Sequence, residues 1–425
     1  MDYLPVVVLF ALFAANVPVA FALAIAGLSF FLLSSGIQHQ IFIQRFVSVT
    51  HSFPLLAIPF FIMTGVIMNH SGITERLMKL ADSFTGHMVG GLAQVNILLS
   101  TLMGGMSGSA NADTAMQSKI MVPQMDKRGY HTAFSAVVTA SSSIISVIIP
   151  PGIGLILYGF MGDVSIGKLF LAGILPGIVL CIALMLVTSH ISRLRSYAPS
   201  LEKKASWGSR FTALKKAIWS LMVPVGIVGG IRFGIFTPTE AGAMAVLYAI
   251  IVGYIHKQFS IRKVPDILIE TVTATSAVMF IICAASTFGF FLSWERIPAQ
   301  IAELMLGISD NPYALLLLIN LLLLAIGMFI EGGAALILLT PILVPVITEV
   351  GIDPVHFGIV MVLNLTIAGV TPPLGTLMFT ACSISKIPVK DFVRELVPYI
   401  ATLIAVLLLL TFVPQISLWL PGTMK

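Results

Sequence analysis

Residues 91–122 read GLAQVNILLSTLMGGMSGSANADTAMQSKIMV, and residues 313–348 read YALLLLINLLLLAIGMFIEGGAALILLTPILVPVIT. Both are apolar at their ends and broken in the middle. The first is interrupted by Gly104-Gly-Met-Ser-Gly-Ser-Ala-Asn-Ala-Asp113, the second by Gly327 and by Glu331-Gly-Gly. Each is long enough to enter a bilayer, turn and leave on the same side. Non-helical backbone persists at membrane depth only where protein or a cavity satisfies its polar groups. The two breaks therefore predict two re-entrant hairpins.

Composition agrees with a membrane setting. Of 425 residues, 23 are Lys or Arg and 18 are Asp or Glu, so 10% are charged; 58% are apolar and the mean hydropathy is +1.03. An average soluble domain carries roughly 25% charge. These values exclude a cytosolic enzyme, a disordered chain and a disulfide scaffold. The net charge of +5 is no nucleic-acid signal, because the cations lie between apolar runs and not among stacking aromatics. Cys181, Cys283 and Cys382 stand far apart in apolar stretches and read as small buried hydrophobes. The chain is apolar from Tyr3 and its first cation is Arg45, which argues against a cleaved signal peptide.

Spans of about 20 apolar residues are expected at 18–35, 53–69, 132–161, 169–190, 214–233, 239–256, 267–292, 355–383 and 397–420, with a shorter one at 3–15. The expectation is an all-α polytopic membrane protein with about ten spans and two hairpins. Loops 71–90, 119–131, 191–216, 257–266 and 384–396 hold 18 of the 23 cations; Arg45, Lys168, Arg232, Arg296 and Lys425 fall on the other side. Cation excess marks the cytoplasmic face, so the first hairpin opens from the cytoplasm, the second from outside, and both termini lie outside. Segments 72–86 and 295–306 alternate charge and bulk, which predicts amphipathic helices at the interface.

The halves repeat. An offset of 222 aligns Gly105 with Gly327, Met106 with Met328, Pro123 with Pro345, Gly129 with Gly351 and Pro150-Pro151 with Pro372-Pro373. From 105 to 155, 12 of 51 positions match without a gap. Matched prolines and glycines dictate backbone shape. Five crossings per half is an odd number, so residues 213–425 form a second repeat lying upside down relative to residues 1–212. Inverted repeats with broken helices near the midplane are a secondary-transporter plan.

The breaks carry chemistry suited to ions. Ser107, Ser109 and Asn111 offer oxygens, and the turn frees backbone carbonyls; sodium is a hard cation that takes several such ligands. Freed N–H groups at the start of 110–122 suit an anion. Asp113 is costly at depth, roughly 2.5–3.5 kcal/mol on insertion scales. It reads either as an acid stabilising the second half-helix or as an ion or substrate group, and Glu331 offers the same two readings. After each hairpin comes a span broken at a Pro pair, SSSIISVIIPPGIG (141–154) and NLTIAGVTPPLGT (364–376). Proline leaves an upstream carbonyl unpartnered. Those carbonyls, with Ser143, Asn364, Thr371 and Thr376, could complete a cation site beside each tip. In GIFTPTEA (234–241), Thr237 or Thr239 is expected to cap a helix near Pro238, with Glu240 in its first turn.

GGMSGSANADTA (104–115), the paired Pro-Pro breaks and GIFTPTEA resemble the large membrane subunit of tripartite ATP-independent periplasmic (TRAP) transporters, the DctM-like family, over essentially the whole chain. The resemblance implies an elevator-type carrier in the bacterial inner membrane, surrounded by lipid. It implies a small four-span membrane subunit (DctQ-like), unfused here, and a soluble periplasmic substrate-binding protein. The implied cargo is an organic acid such as a C4-dicarboxylate, a keto acid or sialic acid, driven by about two Na+ ions, with no organic cofactor. Carried over residue by residue, it implies an ion site at Ser107, Gly108, Ser109 and Asn111 with Ser143 and Pro150. A second ion site falls at Gly327, Gly332, Asn364 and Thr371. Substrate would lie between the tips, near Ser107, Ser109, Asp113, Glu331, Gly332 and Thr376.

Two rivals use the same residues. Gly105-Met-Ser107-Gly matches the short GxSG pattern of rhomboid proteases, but a serine nucleophile needs a base, and all eight histidines fall at span ends or loops. A stand-alone carboxylate carrier of the same superfamily would work without a binding protein. No GxxxxGK[ST] motif for ATP occurs.

Overall fold

The computed structural model describes residues 3–34, 37–256, 259–308 and 311–424; Lys257 and Lys425 of the orientation argument lie outside them. Among the described residues the chain is helical with no strand. The first half runs α1 (Leu4–Ala14), α2 (Val19–Leu33), α3 (Gln40–Ser48), α4 (Ala57–His70), α5 (Ile73–Thr85), α6 (Gly91–Ser107), α7 (Ala110–Lys127), α8 (Thr132–Ser143), α9 (Ile145–Ile148), α10 (Ile153–Met161) and α11 (Ile166–Leu194). The second runs α12 (Trp207–Arg232), α13 (Pro238–Ile255), α14 (Val264–Trp294), α15 (Ile297–Ile308), α16 (Pro312–Gly327), α17 (Gly332–Glu349), α18 (Pro354–Ala368), α19 (Thr376–Ser385), α20 (Val389–Phe412) and α21 (Gln415–Leu418).

Helix boundaries follow local chemistry. Pro18 precedes α2, and Thr237 caps α13 in a capping box with Glu240 behind Pro238. Helix α5 buries Ile73, Leu77, Leu80 and Ala81 and leaves Glu75 and Lys79 exposed, the amphipathic pattern read from the sequence. Gly129 and Gly351, one offset apart, both follow the second helix of a hairpin with φ of +82° and +78°. An L side chain resists that conformation, so the match records the same turn made twice.

Among the described residues, seven helices are long and apolar enough to cross a membrane, or eight if 132–148 and 153–161, bent by 45°, count as one span. About ten were expected. Helices α1 and α2, read as spans, have 11 and 15 residues, short of the ~20 that a straight crossing needs. Three further apolar helices, α16, α18 and α19, are short because Gly, Pro and polar residues interrupt their segments.

Packing between the halves is reciprocal. At the 222 offset α7 corresponds to α17 and α10 to α19; α7 packs on α19 and α17 on α10. Likewise α2 packs on α14, and α13 on α4. An exchange of this kind is what a two-fold axis relating two similar units would produce. Buried hydrogen bonds tie the inner helices: Asn96 Nδ2 donates to Thr139 Oγ1 (2.7 Å) and Ser100 Oγ to Ser142 Oγ (2.7 Å), joining α6 to α8. Asn364 Nδ2 donates to Asn320 Oδ1 (2.7 Å) and Asn320 Nδ2 to Thr411 Oγ1 (2.9 Å), joining α18, α16 and α20. The three cysteines are buried and free.

Two glycines make the backbone argument testable. A Cβ at Gly129 or at Gly226 would meet nothing within 4 Å, but Gly129 has positive φ and Gly226 lies within α12. Gly129→Ala is expected to cost about 1–2 kcal/mol and lower the unfolding midpoint. Gly226→Ala should leave stability unchanged or raise it by up to about 1 kcal/mol, with a midpoint that stays or rises. Equal shifts in thermal unfolding of the detergent-solubilised protein would contradict the turn assignment.

Candidate functional site

Both hairpin tips are built by helix ends. Gly108 ends α6 with φ +57°, where a side chain would collide with the Pro151 carbonyl. Ser109 turns extended and caps α7, its Oγ accepting from Ala112 N (3.4 Å). Glu331 caps α17 in the same manner, its carboxylate accepting from Ala334 N (3.0 Å). Each tip is tied to the far side of a Pro-Pro break: Ile153 N donates to Gly108 O (3.1 Å), and Leu374 N donates to Met328 O (3.2 Å).

The tips face one cavity of about 300 Å³. Ser107, Gly108, Ser109 and Asn111 line it from the first tip, and Glu331, Gly332 and Gly333 from the second. Gly154 and Leu157 of α10 form part of the wall, with Thr366 of α18 and Thr376 of α19. Helices α4 and α14 close it with Gly65, Asn69, Glu270 and Val278. Asn69 and Glu270 sit near the ends of α4 and α14 that join the cation-rich loops, so the cavity reaches toward that side.

Its electrostatics are one-sided. Among the described lining residues there are two carboxylates, Glu270 and Glu331, and no Lys, Arg or His. The positive features are the starts of α7 and α17. First-turn N–H groups lack intrahelical partners, and each helix N-terminus carries roughly half a positive charge. Ser107 Oγ donates to Asp113 Oδ1 (2.7 Å), which leaves the serine oxygen as an acceptor. Asn111 Oδ1 and Asp113 Oδ2 are buried without a hydrogen-bond partner. Such orphaned oxygens, with hydroxyls and carbonyls nearby, form a donor set that fits a hard alkali cation.

The other expected site residues lie behind this surface. Asp113 is fully buried beneath Ser107. Ser143 Oγ is buried and donates to Thr139 O (2.7 Å), and Thr371 Oγ1 donates to Ala368 O (2.7 Å). Asn364 is held by Asn320, with its own Oδ1 unpartnered. Pro150 is buried, and Gly327 packs on Leu365 and Ala368. None of these six lines the cavity. Conversely, Asn69, Glu270 and Thr366 were not singled out from the sequence. Glu270 was findable, as the one acid in the apolar stretch 267–292; it pairs with His70 Nε2 at 3.4 Å. Asn69 and Thr366 carried no such signal.

Comparison with known proteins fits this architecture. The family model described as "Tripartite ATP-independent periplasmic transporter, DctM component" matches residues 6–416. The sialic acid TRAP transporter large permease protein SiaM of Vibrio cholerae is 43% identical over 408 residues, 96% of this chain and 95% of that one. The isethionate TRAP transporter permease protein DctMQ of Oleidesulfovibrio alaskensis is 39% identical over 427 residues, 99% of this chain and 67% of that longer one. The crystal structure of the Alcanivorax borkumensis YdaH transporter superposes with a TM-score of 0.68 over 98% of this chain and 99% of that chain, at 14% identity, and so shares the fold. A whole-chain match to the family model, with relatives named as permeases and not as enzymes, sets the protease reading aside: the chain is a member of the DctM component family of TRAP transporters, an integral membrane permease subunit.

Proposed function

We propose that the protein imports an organic acid anion by sodium symport and an elevator movement, together with a small four-span subunit and a periplasmic substrate-binding protein. One observation carries the reading: both hairpin tips meet at a single cavity that is rich in oxygen, holds two carboxylates and has no side-chain cation among its described lining residues. Two helix N-termini alone offset one anion poorly against two fixed acids. Bound sodium ions supply the missing charge, so ion and anion occupancy become coupled.

The first ion site comprises Ser107, Gly108, Ser109 and Asn111, with Ser143 and Pro150 shaping the wall behind. The second comprises Gly332 at the cavity surface with Gly327, Asn364 and Thr371 behind it, where Asn364 Oδ1 has no hydrogen-bond partner. Substrate lies between, in reach of Ser107, Ser109, Glu331, Gly332 and Thr376, with Asp113 acting through Ser107. The two repeats, 1–212 and 213–425, each contribute one tip. The moving body is α6–α10 with α16–α19, and α11 and α20, which pack on it, travel with it. Helices α2, α4 and α12–α14 form the scaffold. The two relatives described above are named for different acids, sialic acid and isethionate, and the cargo here belongs to that organic-acid class. Energetically, a tenfold sodium gradient contributes about 1.4 kcal/mol per ion. One net charge moving inward adds about 2.3 kcal/mol per 100 mV. Two ions with a monoanion therefore drive accumulation without ATP.

Uptake into proteoliposomes of the assembled transporter tests this. Ser107→Ala with Ser109→Ala is expected to raise the sodium concentration for half-maximal uptake about tenfold or more; an unaltered sodium curve removes the first ion site. Glu270→Gln takes a fixed negative charge from the cavity and should lower the KM for the anion several-fold, on the order of the Coulomb term for a partly solvated pair. A KM that rises would mean that Glu270 receives hydrogen bonds from the substrate. Omitting the binding protein should abolish uptake, and an undiminished rate would favour the stand-alone carrier.

A further inference from the structure

A second concave site lies away from the tips, where α5 meets α12. It measures about 240 Å³ and is lined by Gly72, Glu75, Arg76 and Lys79 of the α5 segment and by Ala213 and Lys216 of α12. Positions 72, 75, 76 and 79 form one ridge of a helix, and 213 and 216 another. Gly72 and Ala213 have too little side chain to fill the space between the ridges. The two helices are held in contact beside the cavity by Arg210, whose Nε donates to Ser83 O (3.2 Å) and whose guanidinium lies 5.5 Å from the Phe84 ring centre.

Charge and depth define the occupant. The side chains of Arg76, Lys79 and Lys216 make no ion pair or hydrogen bond with any described residue. Glu75 is the one acid among the described rim residues. Burial first, then Arg76 beside it, hold the His256 imidazole below its ordinary pKa, so Arg76 faces a neutral neighbour. Lys216 is the last cation before the uncharged run 217–231, and so marks where α12 enters hydrocarbon. Trp207 is 80% exposed and Trp219 45% exposed on either side of it along the helix, as interfacial anchors are. We infer that this cavity binds the phosphate headgroup of an anionic phospholipid at the cation-rich membrane face. A diacyl lipid satisfies the site because Lys216 stands where α12 becomes uncharged, and Trp219, Met222 and Val225 expose an apolar face of α12 beside the buried one for its chains.

The test is lipid retention by the transporter purified with its small subunit into nanodiscs of mixed phosphatidylglycerol and phosphatidylcholine, read by native mass spectrometry. Wild type is expected to retain phosphatidylglycerol selectively. Arg76→Gln, Lys79→Gln and Lys216→Gln together should weaken retention about tenfold or more, each cation near a surface contributing to anionic-lipid attraction. Glu75→Gln should strengthen it, and Lys203→Gln with Lys204→Gln, on the adjacent loop, should leave it unchanged. Equal retention by the triple variant, or an equal loss in the loop variant, overturns the site. Displacement of the lipid by millimolar inorganic phosphate assigns the cavity to a soluble anion and overturns the lipid. Retention that appears only after the small subunit is removed makes the cavity a subunit contact and overturns the lipid as well.

Discussion

An interrupted helix inside a bilayer must hand its unpaired backbone groups to something other than lipid, and much of this architecture follows from that demand. Two interruptions, at residues 108–109 and 328–331, each lie against the far side of a Pro-Pro break. The Gly108 carbonyl is taken by Ile153 and the Met328 carbonyl by Leu374. Turned toward the shared cavity are the starts of α7 and α17, the hydroxyl oxygens of Ser107 and Ser109, and the unpartnered Oδ1 of Asn111. A tip moved to the lipid-facing surface would lose both its partner and its cavity. The site is thus the place where the backbone's unpaired groups collect.

The cavity's charge pattern gives that collection a direction. Among the described lining residues the wall carries Glu270 and Glu331 and no Lys or Arg, so its positive features are helix ends alone. Under the proposed symport, such walls and helix ends would hold a cation and an anion side by side, each lowering the cost of the other. Ser107 joins these roles, with its proton held by Asp113 and its oxygen left toward the cavity. Glu331 has a double role of the same kind, since its carboxylate caps α17 and lines the site at once.

Around this centre the polar bonds separate two groups of helices. Asn96, Ser100, Asn320 and Asn364 knit the hairpins to the broken spans. The outer helices α2, α4, α13 and α14 bury aromatics against one another, among them Phe30 against Phe291, and are also joined by polar links, such as His70 of α4 to Glu270 of α14. At the margin, α5 and α12 present three uncompensated cations.

Much was legible in the linear chain because hydrocarbon imposes strict rules. The apolar runs, the two breaks, the amphipathic segment at α5 and the cap at Thr237 all follow from short-range periodicity and backbone chemistry. The 222-residue repeat followed from prolines and glycines whose φ preferences admit few substitutes. Span count was less legible, since α1 and α2 are apolar but shorter than a straight crossing, and hydropathy alone does not report helix length. The cavity lining was only half legible. Ser107, Ser109, Asn111 and Glu331 were marked by their place in a break, whereas Asn69 and Thr366 stand in ordinary helix. Which polar residues point at the cavity and which are spent on one another, as Asn364 is on Asn320, depends on helix rotation and on neighbours dozens of residues away. Local sequence specifies where a helix breaks; the packing of the two halves alone determines what the break faces.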